Sequence, residues 1–227
     1  MRTDPGPRRA PPVPLVAFGG LLCALWGCQQ RASGPEAQLA LARAAVAAGD
    51  RVAVEAAFGA LLREAPRYPG GSLEFGNYLA SIDESAQAEP LLRHACALAP
   101  EDPAGWIALG GLLARKGVLG EASEVLERAV AAGADTRATW RMLGEVLAQR
   151  GDQPERAAEC FTAAARHARA ARAGKDGTDL IRDLIDCARS RVAAADSEGA
   201  RAVLLEVLTL EPDQPQALAE LERLRAK

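Results

Sequence analysis

Few side chains in this chain of 227 residues could do chemistry, and their spacing argues against most of it. Cys96, Cys160 and Cys187 stand far apart, so no C-x-x-C redox or zinc pair exists among them. Cys160 and Cys187 fall on consecutive expected helices. They read either as a disulfide or as small packing residues. His94 and His167 are the only histidines, and neither has a second ligand at metal spacing or a Ser or Cys nucleophile motif beside it. Both read as helix-surface residues. No Gly-rich loop is placed to cradle a phosphate. These absences predict no catalytic residue, no metal site, no cofactor and no small-molecule substrate, hence a chain that is not an enzyme. Cys28 is different. It closes an apolar run, where its sulfur could form a thioether.

That run extends from Val13 to Trp26, behind a Pro- and Arg-rich start that includes Arg8 and Arg9. It has the length of a signal-peptide core and is short for a membrane span. The segment Leu25-Trp26-Gly27-Cys28 resembles a lipobox, the processing site of bacterial lipoproteins, with Trp26 larger than that family's usual residue there. The resemblance implies that residues 1–27 are a signal peptide and that Cys28 is the acylated first residue of the mature chain. Residues 28–34 would be a short tether. Two or more acyl chains would give stable anchoring. The expected location is the cell envelope, lipid-anchored and facing the periplasm, with Gln29 after the anchor pointing to the outer membrane.

The elements behind these residues follow from a repeat. Trp106-x-x-Leu109-Gly110-x-x-Leu113 is followed by Gly117 and then Ala122-x-x-x-Leu126-x-x-Ala129. Thirty-four residues on stand Trp140, Leu143, Gly144, Leu147 and Gly151, and after one inserted residue Ala157, Phe161 and Ala164. Thirty-four back stand Phe75-Gly76, Leu79, Ala88, Leu92 and Ala95; one step earlier come Leu41-Ala42, Gly49, Val54 and Phe58. A weaker copy holds Cys187-Ala188, Ala200 and Leu204. This pattern resembles the tetratricopeptide repeat. The resemblance implies an all-α fold, a right-handed superhelical solenoid of antiparallel helix pairs. About five copies are expected, over 35–68, 69–102, 103–136, 137–171 and 181–214. A capping helix over 215–227 would follow. Small residues at Gly76, Gly110, Gly144, Ala88, Ala122 and Ala157 let paired helices approach. One copy cannot bury its apolar face alone, so the copies must stack.

Members of that family bind partners in a concave groove lined by each copy's first helix. The period places Leu39, Leu73, Ile107, Arg141 and Ile185 in one groove column. Arg43, Asn77, Gly111, Glu145 and Arg189 form a second column. Ala47, Ser81, Arg115, Gln149 and Ala193 form a third. Asn77, Ile107, Arg115, Arg141 and Glu145 form the expected centre. Leu73 stands where a carboxylate clamp would need Lys, so apolar anchors of a helix or an extended segment suit the groove better. Arg141 interrupts a Leu/Ile column. It is either a partner contact or an i,i+4 surface pair with Glu145.

Formal net charge is -3, and the Arg-rich start makes the remainder more acidic, so nucleic acid is not an expected partner. The whole reads as a membrane-anchored scaffold or adaptor binding protein partners in the bacterial envelope. It would contact the membrane through lipid on Cys28 and assist assembly of a pilus or secretion complex. An alternative is a periplasmic accessory or holdase for cell-envelope enzymes.

Overall fold

A computed structural model describes residues 34–171 and 177–226. Residues 1–33, with the expected signal peptide and Cys28, lie outside the described residues, as do 172–176 and 227. The described residues form eleven α-helices and no strand: α1 Pro35–Ala48, α2 Arg51–Glu64, α3 Pro69–Ser81, α4 Ser85–Leu98, α5 Pro103–Arg115, α6 Leu119–Ala131, α7 Arg137–Arg150, α8 Pro154–Ala170, α9 Thr178–Ala193, α10 Ser197–Leu210 and α11 Pro215–Arg225. The chain divides into one unit up to Ala65 and a second from Pro66.

Local chemistry explains the helix ends. Pro35, Pro69, Pro103, Pro154 and Pro215 open their helices, where the missing N–H costs nothing. Asp50, Asp102, Thr136 and Asp196 accept backbone N–H groups at the starts of α2, α5, α7 and α10. Between the helices of each pair one residue turns left-handed: Gly49, Asp83, Gly117, Gly151 and Ala195. The first four stand 34 residues apart, so the repeat is written into the backbone as well as the core. Gly suits this place because it has no Cβ; Asp83 and Ala195 hold it without that freedom. The fifth pair begins at Thr178, three residues ahead of the expected boundary at 181.

In the first unit α1 packs on α2 and buries Leu39, Ala42, Val54, Phe58 and Leu61. In the second unit each helix packs on the next. One core cluster runs through α3 to α8 around Leu79, Leu92, Leu109, Leu126, Leu143 and Phe161. A second gathers α9, α10 and α11 around Ile181, Ile185, Leu204 and Leu221. The column of small residues does the expected work. A Cβ on Gly76 or Gly110 would lie 2.7 Å from Leu92 or Leu126, and one on Gly144 would lie 3.1 Å from the Phe161 ring. At such separations one more carbon requires the facing Leu92, Leu126 or Phe161 side chain to shift within a packed core.

Candidate functional site

The first helices of the second unit form a continuous row, and each junction has its own chemistry. Arg115, exposed at the end of α5, donates from Nη2 to the Ala80 carbonyl of α3 at 3.5 Å. Gly111 of α5 lies against Met142 of α7, its would-be Cβ 3.6 Å from the Met142 sulfur. Asn77 and Glu145 are exposed, and Ile107 is half-buried. Leu73, Tyr78 and Met142 are half-buried against the core. The surface from α3 to α7 is therefore apolar, rimmed by Asn77, Arg115 and Glu145. Ile185, expected in the same column as Ile107, is buried in the second core cluster instead. At this column Ile185 is buried where Leu73 and Ile107 are only half-buried.

From α7 onward the row is ionic. Asp183 of α9 is wholly buried. Arg137 donates to it from Nε at 2.6 Å and Nη2 at 3.0 Å, and Arg141 donates from Nη1 at 2.5 Å. Arg141 also reaches Asp186 through Nη2 at 2.8 Å and Glu145 through Nε at 2.9 Å. Its guanidinium lies 5.9 Å from the centroid of the Phe161 ring. Desolvation pulls the Arg141 pKa down, but the bonds to Asp183 and Asp186 outweigh it and hold the pKa above the ordinary value. The chain of charge continues: Arg189 pairs with Asp186 and donates to Glu220 of α11, which also receives Arg223.

Arg141 is tied into the chain by more than its sequence position indicated. It does pair with Glu145, but most of its donor fork is spent on the next helix pair. A buried carboxylate must be compensated at several lone pairs, and Asp183 receives three charge-assisted bonds. Sequence reasoning missed Asp183, Asp186 and Arg137. The signal was present as Arg at i,i+4 on α7 facing Asp179, Asp183 and Asp186 on α9.

The reactive candidates are placed as structure. Cys96, Cys160 and Cys187 are free and buried, so the Cys160–Cys187 disulfide is not formed. Burial pushes the Cys96 and Cys160 thiols up to about 11, which keeps them protonated at neutral pH. The Cys187 sulfur lies 3.2 Å from the Thr162 hydroxyl. The histidines do more than sit in solvent. His94 Nδ1 shares a 2.9 Å bond with Ser72, and His167 Nε2 lies 2.8 Å from Asp135, which also receives the Trp140 indole. No group of three His, Cys, Asp or Glu side chains suited to a metal occurs among the described residues. No described helix is long and apolar enough to cross a membrane.

Known proteins place this architecture. A family model described as tetratricopeptide repeat matches residues 103–146. No curated protein matches the chain by sequence. Among solved structures the chain is similar to the MamA protein, with a TM-score of 0.66 and 16% identity over 79% of this chain and 93% of that one. It is similar to pilF of Pseudomonas aeruginosa, with a TM-score of 0.61 and 16% identity over 90% and 94% of the two chains. PilW, described as a widely conserved type IV pilus biogenesis factor, gives a TM-score of 0.60 and 16% identity over 85% of each chain. With one copy matched by the family model and successive helix pairs turning in the same register, the fold of this chain is that of the tetratricopeptide-repeat proteins.

Proposed function

We propose that this chain is a scaffold that holds protein partners in the bacterial envelope, tethered by lipid on Cys28, and that it assists assembly of a pilus or secretion complex. One observation carries the partner-binding part. Along the row of first helices, Arg137, Arg141, Asp183, Asp186, Arg189 and Glu220 are engaged with one another, whereas Leu73, Ile107 and Met142 are left half-buried beside exposed Asn77, Arg115 and Glu145. A partner gains most by covering apolar surface flanked by groups still able to hydrogen-bond. Arg141 stands at the border between the two regions and holds Glu145 in place at the groove's edge.

The buried, protonated thiols and the bonded histidines favour a binding role over a catalytic one. The likeness to pilF and to PilW, a pilus biogenesis factor, supports assembly as the context. The lipobox-like Leu25-Trp26-Gly27-Cys28 supports the tether and a periplasm-facing position at the outer membrane. Affinity purification from detergent-solubilised membranes tests the reading. A protein recovered with the unaltered chain should be lost with Ile107→Arg while the helical melt is kept. Equal recovery with the variant would remove the groove from the account.

A further inference from the structure

The second helices carry a different site, visible by comparing two copies. Between α4 and α6 a notch floored by Trp106 and Leu109 encloses about 260 Å³. Between α6 and α8 the next copy repeats it, floored by Trp140 and Leu143, and encloses about 420 Å³. The rims correspond. Arg93–Glu121 spans the first notch at 2.6 Å, and Glu127–Arg156 spans the second at 2.5 Å with the signs exchanged. Glu124 and Val125 of the first become Glu159 and Cys160 of the second, one residue out of the 34-residue step because of the insertion near Gln153.

One correspondence fails. Arg128 lies over the Trp106 ring with its guanidinium carbon 5.4 Å from the ring centroid, so the first notch is closed by a cation of the chain itself. The matching residue of the second notch is Ala163. Trp140 is half-buried, and its indole N–H is bonded to Asp135, which fixes the ring. Glu159 on the rim is exposed and forms no ion pair among the described residues. Arg166 lines the far side, in the field of Asp135.

We propose that the Trp140 notch takes a cationic side chain, arginine or lysine, from a basic segment of a protein partner. The incoming cation stacks on Trp140 as Arg128 stacks on Trp106, with Glu159 supplying the opposite charge. The fit is argued from the chain's own filled copy, Arg128 on Trp106, and from Glu159, the rim carboxylate left over once Glu127 is paired with Arg156; Arg166 stands on the far side. The notch takes its floor from α7 but shares no residue with the groove around Ile107, so its failure leaves the groove reading untouched. An aromatic face and a carboxylate together recognise a cation more strongly than either alone.

The chain labelled with 5-fluorotryptophan gives fluorine resonances for Trp106 and Trp140, and for Trp26 while the expected signal peptide is retained, assigned by replacing each with Phe. Titration with acetyl-Gly-Arg-Gly-amide should move the Trp140 resonance saturably and leave Trp106 unmoved. The matching citrulline peptide, similar in shape but uncharged, should bind about threefold or more weakly. Ala163→Arg should close the notch and abolish the response with an unchanged helical melt. Arg128→Ala should open the first notch and make Trp106 respond. Equal binding of the citrulline peptide, a Trp140 response surviving in folded Ala163→Arg, or an unmoved Trp140 in the unaltered chain would overturn the proposal. If Ala163→Arg does not fold, Arg128→Ala decides: a silent Trp106 there overturns it.

Discussion

Arg141 and Asp183 join two successive helix pairs through a 2.5 Å bond between Nη1 and a carboxylate oxygen with no solvent exposure. Arg137 occupies both oxygens of the same carboxylate, so the two arginines differ in what their loss leaves behind. Asp183→Ala strips the partner from two guanidinium groups at once and should cost about 3–5 kcal/mol, the usual penalty for breaking a buried pair. Arg141→Ala leaves Asp183 with Arg137 and should cost about 1–3 kcal/mol. Arg141→Glu should be worse than the Ala change because it sets a third carboxylate beside Asp183 and Asp186. Chemical denaturation of the three variants measures the order. Equal stability of Asp183→Ala and the unaltered chain would mean that the two helix pairs are joined by apolar contact alone.

The small-residue column predicts a contrast between two glycines. Gly110→Ala places a methyl group 2.7 Å from Leu126 and should cost about 1–3 kcal/mol by overpacking. Gly120, in the first turn of α6, meets nothing within 4 Å, and Gly120→Ala should be neutral or stabilise by up to about 1 kcal/mol. Because neighbouring copies stabilise one another, Gly110→Ala should lower the whole melt of the second unit rather than split it. Circular dichroism distinguishes the two substitutions; identical midpoints would place the α5–α6 contact elsewhere.

A pH dependence follows from the ion cluster of α4, the α5–α6 turn and α6. The Lys116 and Arg93 bonds hold the Glu89 carboxyl below its ordinary 4.5, and the Arg93 bond holds Glu121 below it as well. A depressed folded pKa contributes stability above the unfolded value and loses it as pH falls through the folded value. Melting temperature should therefore decline as pH drops from about 4.5, and molar salt should shrink the decline. These groups are at the surface, so their contribution stays within about 1 kcal/mol. Arg93→Ala should reduce the slope; an unchanged slope would assign the acid sensitivity to other carboxylates.

The proposed tether gives a covalent prediction. Cys28→Ala should abolish incorporation of a fatty-acid analogue and leave the precursor unprocessed by lipoprotein signal peptidase. Undiminished labelling of the variant would exclude Cys28 as the anchor.

The fold was legible because its determinants repeat. Gly110 and Gly144, Leu109 and Leu143, and Ala122 and Ala157 recur at nearly one spacing, and each answers to the same helix contact. Arg141 was legible only as an exception to its column. Its partner Asp183 lies beyond the additional residues that separate the fourth and fifth helix pairs, so column alignment placed Ile185 opposite it. The left-handed turns at Asp83 and Ala195 were equally silent, since neither is Gly. Long-range polar pairs such as His167 with Asp135 depend on helix rotation, which a hydrophobic period does not specify.

The central claim, that partners bind along the first helices of the middle copies, is tested most directly by photo-crosslinking in living cells. A benzophenone amino acid placed at Asn77 or Ile107 should give discrete adducts of defined mass. The same group at Ala202, exposed on the second helix α10, should give none. Adducts from Ala202 with none from Asn77 or Ile107 would contradict the claim.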